Sequence, residues 1–293
     1  MSYSTRLLTI EDKEQVEAIS ATIWDGHDYV GRVFPKWVED EDSVPVGVFD
    51  DSKLIGIINI QFRKLGIAWA QGLRVLDDYR DKGVGTKLTK EIVKIAKEKG
   101  ARILRYCTSS RNEASIHVAK KAGFYQANRV GYLRLYPPYP DHPKPSPLIH
   151  PVKLDSDRMM ILLNQNPDLV PTKTLPIAWE FETKDMTGIE KIADMAEIKG
   201  IVSHNGILTS FYYSYEFTRD DEKQCAFTVY SIDRSEFVDI ISRILDTAET
   251  KGYKRIVFFL GPNGTEWMDR MDLIPEEYEG RRFILFELIP SEH

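Results

Sequence analysis

Two periods of hydrophobic spacing alternate along this chain. Glu11–Ser20 reads as an amphipathic helix. VPVGVFD (44–50) and LIGIINI (54–60) flank the polar turn Asp50-Asp51-Ser52-Lys53, the signature of a hairpin. WAQGLRVL (69–76) gives a third strand. Over Thr86–Lys99 the period becomes helical: Leu88, Ile92, Ile95 and Ala96 share one face, and Gly100 stops the helix. ARILRYC (101–107) is a buried strand, Asn112–Ala122 a second helix ending at Gly123, and 124–136 a closing strand or hairpin. Strands alternating with helices imply an α/β fold.

A similar alternation recurs later. It predicts helices over 155–165, 235–251 and near 263–271, and strands at 179–181, 225–231, 255–261 and 282–288. Between the halves runs PPYPDHPKPSPLIHP (137–151), which holds seven of the fifteen prolines. Each proline fixes φ and lacks an N–H, so neither a helix nor a central strand crosses it. The expectation is a domain at 1–140, a stiff Pro-rich linker at 141–151 and a second domain at 152–293. A length of 293 residues suits two domains.

Composition narrows the function classes. The net charge is −6, which argues against a general nucleic-acid binder. The charge is uneven, at +4 over residues 1–140 and −10 over 141–293, and a positive half can attract an anionic ligand. No apolar run is long enough to span a membrane, and residues 1–20 hold no signal-peptide core. Cys107 and Cys225 are the only cysteines, which argues against a disulfide framework. The six histidines show no metal-ligand spacing with them. A cytoplasmic protein without a metal is expected.

The chemistry concentrates between the strand 69–76 and the helix 86–99, in Asp77-Asp78-Tyr79-Arg80-Asp81-Lys82-Gly83-Val84-Gly85-Thr86. Glycines at 83 and 85 admit a ligand close to the backbone. The loop opens a helix, whose unpaired N–H groups and dipole favour an anion. Arg80 and Lys82 add positive charge. Together these describe a pyrophosphate cradle. A plain tight turn is the competing reading. A dinucleotide fingerprint needs a third glycine where Leu88 stands, and a Walker loop needs a Gly-Lys-Ser/Thr step that is missing.

With its context, this loop resembles that of the GNAT superfamily of acyl-CoA-dependent N-acetyltransferases. That family carries R/Q-x-x-G-x-G/A after its fourth strand, matched by Arg80, Gly83 and Gly85. Leu73-Arg74-Val75 matches the end of that strand. Asn112, Ser115, Ala119, Lys121, Gly123 and Phe124 follow the spacing of a later family segment. The resemblance covers about 130 residues in the family's order. It implies a mixed, largely antiparallel sheet flanked by helices. It also implies that acetyl-CoA is the co-substrate. The backbone of Arg80, Asp81, Lys82, Gly83, Val84, Gly85 and Thr86 would hold the pyrophosphate. Leu73 and Val75 would pair with the pantetheine arm, with Asn112 on that arm and Lys121 toward the phosphates. The thioester would sit where the fourth and fifth strands splay apart.

Two positions depart from the family. The usual base, a glutamate four residues before the strand-ending Val, is Gln71, and the usual acid, a tyrosine, is Ala119. Gln71 cannot take a proton at ordinary pH. The candidates that remain are His27 and Asp28 in Asp25-Gly26-His27-Asp28-Tyr29, and Tyr125 as a replacement acid. A solvated polar loop and a packed strand tyrosine are the competing readings of these residues. His117 is read mainly as a helix-surface residue.

The second half reads as a worn copy of the first. A shift of 152 residues sets Leu88 on Ile240, Ile92 on Ile244, Ala96 on Ala248 and Gly100 on Gly252. The same shift puts Ile232 at Arg80, Ser235 at Gly83 and Phe237 at Gly85. A degenerate GNAT-like α/β domain without a CoA loop is therefore expected. Its expected role is to cover the acceptor cleft or to pack against a second copy as a homodimer. The function expected is N-acetylation of a primary amine, a free amino acid or small amine. DGHDYV and the GLRV strand with its RDKGVG loop resemble a histidine N-acetyltransferase-like branch. The alternatives are a protein or peptide acceptor, or a non-catalytic acyl-CoA sensor.

Overall fold

The computed structural model describes residues 3–23, 26, 28–219, 221–270 and 275–292. In chain order the elements begin with β1 (Ser4–Leu7), α1 (Lys13–Ala21), α2 (Val30–Glu39), β2 (Ser43–Asp50), β3 (Lys53–Arg63), β4 (Ile67–Val75), α3 (Val84–Glu98), β5 (Ile103–Ser109), α4 (Glu113–Lys121) and β6 (Tyr125–Leu135). There follow β7 (Val152–Leu154), α5 (Ser156–Gln165), β8 (Thr174–Ile177), β9 (Glu180–Thr183), α6 (Met186–Met195) and β10 (Ile198–Val202). The last are β11 (Leu208–Arg219), β12 (Glu222–Ser231), α7 (Arg234–Lys251), β13 (Arg255–Leu260), α8 (Pro262–Asp269) and β14 (Arg282–Leu288).

Packing divides the chain into two units. Unit 1 is Met1–Thr108, Asn112–Gln126 and Leu285–His293; unit 2 is Ser109–Arg111 and Ala127–Ile284. The division differs from one at the prolines. Residues 137–151 lie inside unit 2, along α7: the Tyr139 hydroxyl donates to the Tyr253 carbonyl at 2.7 Å, and Arg243 Nη2 donates to the Ile149 carbonyl at 2.8 Å. Proline removes N–H donors but not side-chain or carbonyl partners, so the segment docks instead of standing free.

In unit 1 the strands run β1-β2-β3-β4-β5-β14. β1 to β4 are antiparallel, and β4 pairs with β5 in parallel. α3 buries Val84, Leu88, Ile92, Ile95 and Ala96, the stripe read from the sequence with one further turn. Gly100 follows it at φ +70°, the left-handed conformation that ends a helix. On the other side, α1 and α2 enclose Val16, Ile19, Phe34 and Trp37 with Phe49, Leu54 and Ile57 of the sheet.

In unit 2 the order is β6-β13-β12-β11-β10-β7, with a separate β8-β9 hairpin. β12 and β13 are parallel, and the other pairs β6-β13, β12-β11, β11-β10 and β10-β7 are antiparallel. The element order β7-α5-α6-β10-β11-β12-α7-β13-α8-β14 repeats β1-α1-α2-β2-β3-β4-α3-β5-α4-β6, with the hairpin inserted between the two helices. The closing strands are exchanged. Most of β6 belongs to unit 2, and the end of β14, Leu285–Leu288, belongs to unit 1.

Two stretches depart from the sequence reading. α2 contains Gly31 and Pro35, both of which read as breakers, yet it buries Val30, Phe34 and Trp37. Tertiary burial outweighs weak local propensity there. Between Phe181 and Cys225 the sequence pattern names no element, whereas α6, β10 and the twelve-residue β11 occupy it. β11 sets Phe211, Tyr213, Tyr215 and Phe217 on one face and Ser210, Ser214, Glu216 and Thr218 on the other, a period of two that the sequence reading passes over.

Phe286 is 1% exposed and stacks on Tyr106 with ring centroids 6.3 Å apart. Phe286→Ala is expected to destabilise unit 1 by about 3–5 kcal/mol. Urea unfolding followed at unit 1 checks this; a change within about 0.5 kcal/mol would show that unit 1 does not depend on the chain's last strand.

Candidate active site

The site begins with a defect in a strand. β3 pairs with β4 as Asn59↔Gln71 and then Ile57↔Arg74, so a residue of β4 is inserted between. Gly72 sits in this bulge at φ +69°. A Cβ there would come within 2.4 Å of Trp37 Cη2, so only glycine lets the α2 tryptophan press on the bulge. β4 pairs with β5 from Ile67↔Ile103 to Ala70↔Tyr106. Beyond that pair β4 continues to Val75 and β5 to Ser109 without a register between them. The gap is lined by Ala70, Leu73, Tyr106, Val118, Ala119 and Phe124, with Ile58, Thr89, Ile92 and Ser115. All of these belong to unit 1.

At the end of β4 the chain makes a 3-10 turn, Asp77–Tyr79, and reaches Gly83 at φ +81°, the N-cap of α3. No side chain caps this helix. α1, α2 and α8 also begin without a side-chain cap, whereas Asn112, Asp155, Asp185 and Asp233 cap α4, α5, α6 and α7 with their own oxygens. A first turn without an internal acceptor leaves its amides for an anion, and the helix dipole adds to the attraction. A side chain at Gly83 would meet nothing within 4 Å, and one at Gly85 would meet Val118 at 3.6 Å and Val75 at 3.9 Å. The space above this turn is therefore open, bounded by β4 and α4. Lys121 follows Val118 by one turn on α4. Arg80 pairs with Asp77 at 2.7 Å, and Lys82 lies 5.2 Å from the centre of the Tyr79 ring.

An uncapped helix thus opens beside a gap between two parallel strands. Residues 10–124 match the model of the acetyltransferase (GNAT) family. These residues form a GNAT domain. Over the whole chain the fold is similar to that of a Thermoplasma acidophilum protein assigned as an acetyltransferase. The identity is 17% and the TM-score 0.60, covering 98% of this chain and 99% of that one. It is also similar to a GCN5-related N-acetyltransferase from Sphaerobacter thermophilus, at 9% identity and TM-score 0.62, covering 98% and 96%. A GCN5-related N-acetyltransferase from Anabaena variabilis is 11% identical with a TM-score of 0.50, covering 99% of this chain and 73% of that one. At such identities the likeness is one of fold. No curated protein matches the chain.

In the GNAT domain, Leu73 lines the gap, and Val75 pairs with Gly56 on its β3 side. Asn112 is exposed, and its carbonyl oxygen accepts from the Ser115 amide at 3.2 Å. The sequence places Asn112 on the CoA arm; the structure gives that oxygen a cap to make. Gln71 lies within β4 opposite Asn59, and Ala119 is 3% exposed in the wall of the gap.

The candidate proton-transfer residues separate. His27 lies outside the described residues. Asp28 has a fully buried side chain and takes a two-point bond from Arg74, Nε to Oδ2 at 3.0 Å and Nη2 to Oδ1 at 2.7 Å. The Ser20 hydroxyl donates to Oδ2 at 3.1 Å and the Tyr29 amide to Oδ1 at 2.9 Å. Its oxygens are thus committed to fixing Arg74, the residue after the bulge, rather than turned to a substrate. Arg74 also lies 5.5 Å from the centre of the Tyr29 ring. Burial pushes the Tyr29 hydroxyl above its ordinary range, with Arg74 opposing, and burial likewise raises Tyr106. Both stay neutral phenols at physiological pH. Tyr125 donates to Glu287 Oε2 at 3.1 Å. His117 is exposed on α4. Cys107 is half-buried rather than buried. No cluster able to hold a metal ion occurs among the described residues.

The corresponding turn in unit 2 is built differently. Asp233 Oδ1 accepts from the amides of Ser235 at 2.8 Å and Glu236 at 3.0 Å, which fills the N-terminus of α7. Phe237 is fully buried, 5.4 Å from Trp267 between ring centres. β12 and β13 stay paired from Gln224↔Arg255 to Val229↔Leu260, and the Gly261 amide extends the ladder to the Val229 carbonyl. The ladder remains closed as far as β13 runs.

The Asp28–Arg74 pair carries a checkable consequence. Asp28→Ala takes the carboxylate away from a nearly buried guanidinium and is expected to cost about 3–5 kcal/mol. Adding Arg74→Met is expected to recover most of that loss in urea denaturation. Losses that simply add in the double variant would show that the two groups do not act as a pair.

Proposed function

We propose that this chain transfers the acetyl group of acetyl-CoA to the primary amine of a free amino acid or small amine, using a single CoA site in the GNAT domain. The carrying observation is the uncapped N-terminus of α3 beside the β4–β5 gap. The amides of Val84, Gly85 and Thr86 would bind the pyrophosphate, with Arg80, Asp81, Lys82 and Gly83 shaping the approach and Lys121 near the phosphates. Leu73, Val75 and Asn112 would meet the pantetheine arm. The amine must lose a proton to attack, and donors on the unpaired edge of β4 would polarise the thioester carbonyl. Asp28 serves here by holding Arg74. The filled α7 turn, Phe237 and the closed β12–β13 ladder support the reading that unit 2 binds no CoA.

The small-amine acceptor rests on the resemblance carried by DGHDYV, the GLRV strand and the RDKGVG loop. Cys107 and Cys225 are not joined in a disulfide, which suits a reducing cytoplasm. No helix among the described residues is long and apolar enough to cross a membrane. A second reading, a CoA-binding sensor, draws on Gln71 and Ala119, which stand where the family's usual proton-transfer groups do. Turnover separates the two.

Calorimetric titration with acetyl-CoA is expected to give one site per chain. Gly85→Asp, which sets a carboxylate over the first turn, should weaken it by ~100-fold, or ~2.7 kcal/mol. Two sites would contradict the reading of unit 2, and no binding would remove the function. A free amino acid panel, histidine included, should then show CoA release by the unaltered chain; binding without release favours the sensor.

A further inference from the structure

The face of the sheet opposite the CoA gap holds a carboxylate that the reading above does not use. Three strand segments of unit 1 meet beside the point where β4 and β5 part. On the gap side they bring together Tyr106, Phe124 and Phe286, with Tyr106 6.4 Å from Phe124 and 6.3 Å from Phe286 between ring centres. Strand side chains alternate between faces, so their neighbours Arg105, Tyr125 and Glu287 turn the other way. There Arg105 Nε donates to Glu287 Oε1 at 2.9 Å, and the Tyr125 hydroxyl donates to Oε2 at 3.1 Å. Trp69 is the register partner of Arg105, and Gln71 lies two residues beyond it in β4. The cluster therefore shares the face of Gln71, the position that lacks a titratable group.

Burial divides the cluster. Glu287 is 7% exposed and Arg105 2%, whereas Tyr125 is 49% exposed. The carboxylate is thus oriented by a buried guanidinium on one oxygen and linked outward by a phenol on the other.

We propose that Tyr125 and Glu287 form the proton relay of the acetyl transfer, Tyr125 touching the amine and Glu287 accepting through it, with Arg105 as the positioning residue. This rests on the acetyltransferase function proposed above. The acceptor is a cationic primary amine. Its ammonium gives one proton to Tyr125 Oη as the tyrosine passes its own to Glu287 Oε2. The neutral nitrogen attacks the thioester carbonyl, the C–N bond forms, and the C–S bond breaks. The departing thiolate takes the second proton from nitrogen, and Glu287 returns its proton to solvent through Tyr125. The last strand of the chain, 182 residues from Arg105, thus supplies the carboxylate that β4 lacks.

The test uses the full chain with acetyl-CoA and the amino acid panel, measuring CoA release against pH. Tyr125→Phe removes one hydroxyl from a half-exposed ring and should leave the fold intact. It is expected to lower kcat/KM for the amine by ~100-fold and to move the acid limb of its pH profile up toward the amine's own ionisation, while acetyl-CoA affinity stays unchanged. Glu287→Gln should give a loss of similar size, and the double variant little more than either alone, as for residues acting as a unit. An unchanged rate and pH profile in Tyr125→Phe overturns the relay, as do independent, additive losses. No release by an unaltered chain that still binds acetyl-CoA overturns the proposed function and the relay with it. Failure to bind acetyl-CoA overturns the proposed function at its cofactor site.

Discussion

Trp37 pressing on Gly72 is the constraint from which the rest of the site follows. The indole leaves no room for a Cβ, so the strand takes a left-handed residue and an insertion at that point. A bulge bends and twists the strand that carries it. Here it falls two residues beyond the last β4–β5 pair, and the strands do not pair again. β4 stays paired with β3 at Gln71, Arg74 and Val75, and the Leu73 carbonyl accepts from Arg74 Nη1 at 2.9 Å. A continued β4–β5 ladder would also have consumed the β5-facing backbone groups beyond Ala70. Ending it leaves them beside a narrow, mostly apolar gap. The Asp28–Arg74 pair fixes the strand just past the bulge, so the deformation is held on both sides.

The two halves show how little separates a ligand site from a filled core. Both run strand, helix, strand, helix in the same order, and both have a helix that begins after the parallel strand. In α3 that beginning is a glycine with no side-chain acceptor; in α7 an aspartate reaches back to two amides. One carboxylate in the right place satisfies the orphan donors that a phosphate would otherwise meet. Phe237 in α7 is fully buried beside Trp267, whereas a Cβ at Gly85 in α3 would have only Val118 and Val75 at contact distance. The exchange of β6 and β14 leaves the end of β14, Leu285–Leu288, in the sheet of unit 1.

Much of this was legible in the sequence, and the reason is locality. The stripe Leu88, Ile92, Ile95, Ala96, the glycines at 83 and 85 and the stop at Gly100 all lie within one turn-and-helix. Their meaning depends on near neighbours alone. The 152-residue shift was visible for the same reason, since Phe237 and Ser235 fall in a helix of matching phase. What escaped depends on distant pairs. Asp28 reads as one acid in a polar loop, and only the fold shows Arg74 against it. Gly31 and Pro35 hide α2 because the burial that overrides them comes from other elements. The linker expected at 141–151 fails because proline content reports backbone stiffness, not docking against α7. Glu287 gave no local signal, standing in an apolar strand far from Arg105 and Tyr125.

The central claim is that one helix N-terminus of the two is built for a phosphate. Amide hydrogen exchange with and without acetyl-CoA tests it most directly, because it reads both turns in one experiment. The expected result is slowed exchange over residues 83–87 on adding acetyl-CoA, with 233–237 unchanged. Equal protection of both turns, or protection at 233–237 alone, would contradict it.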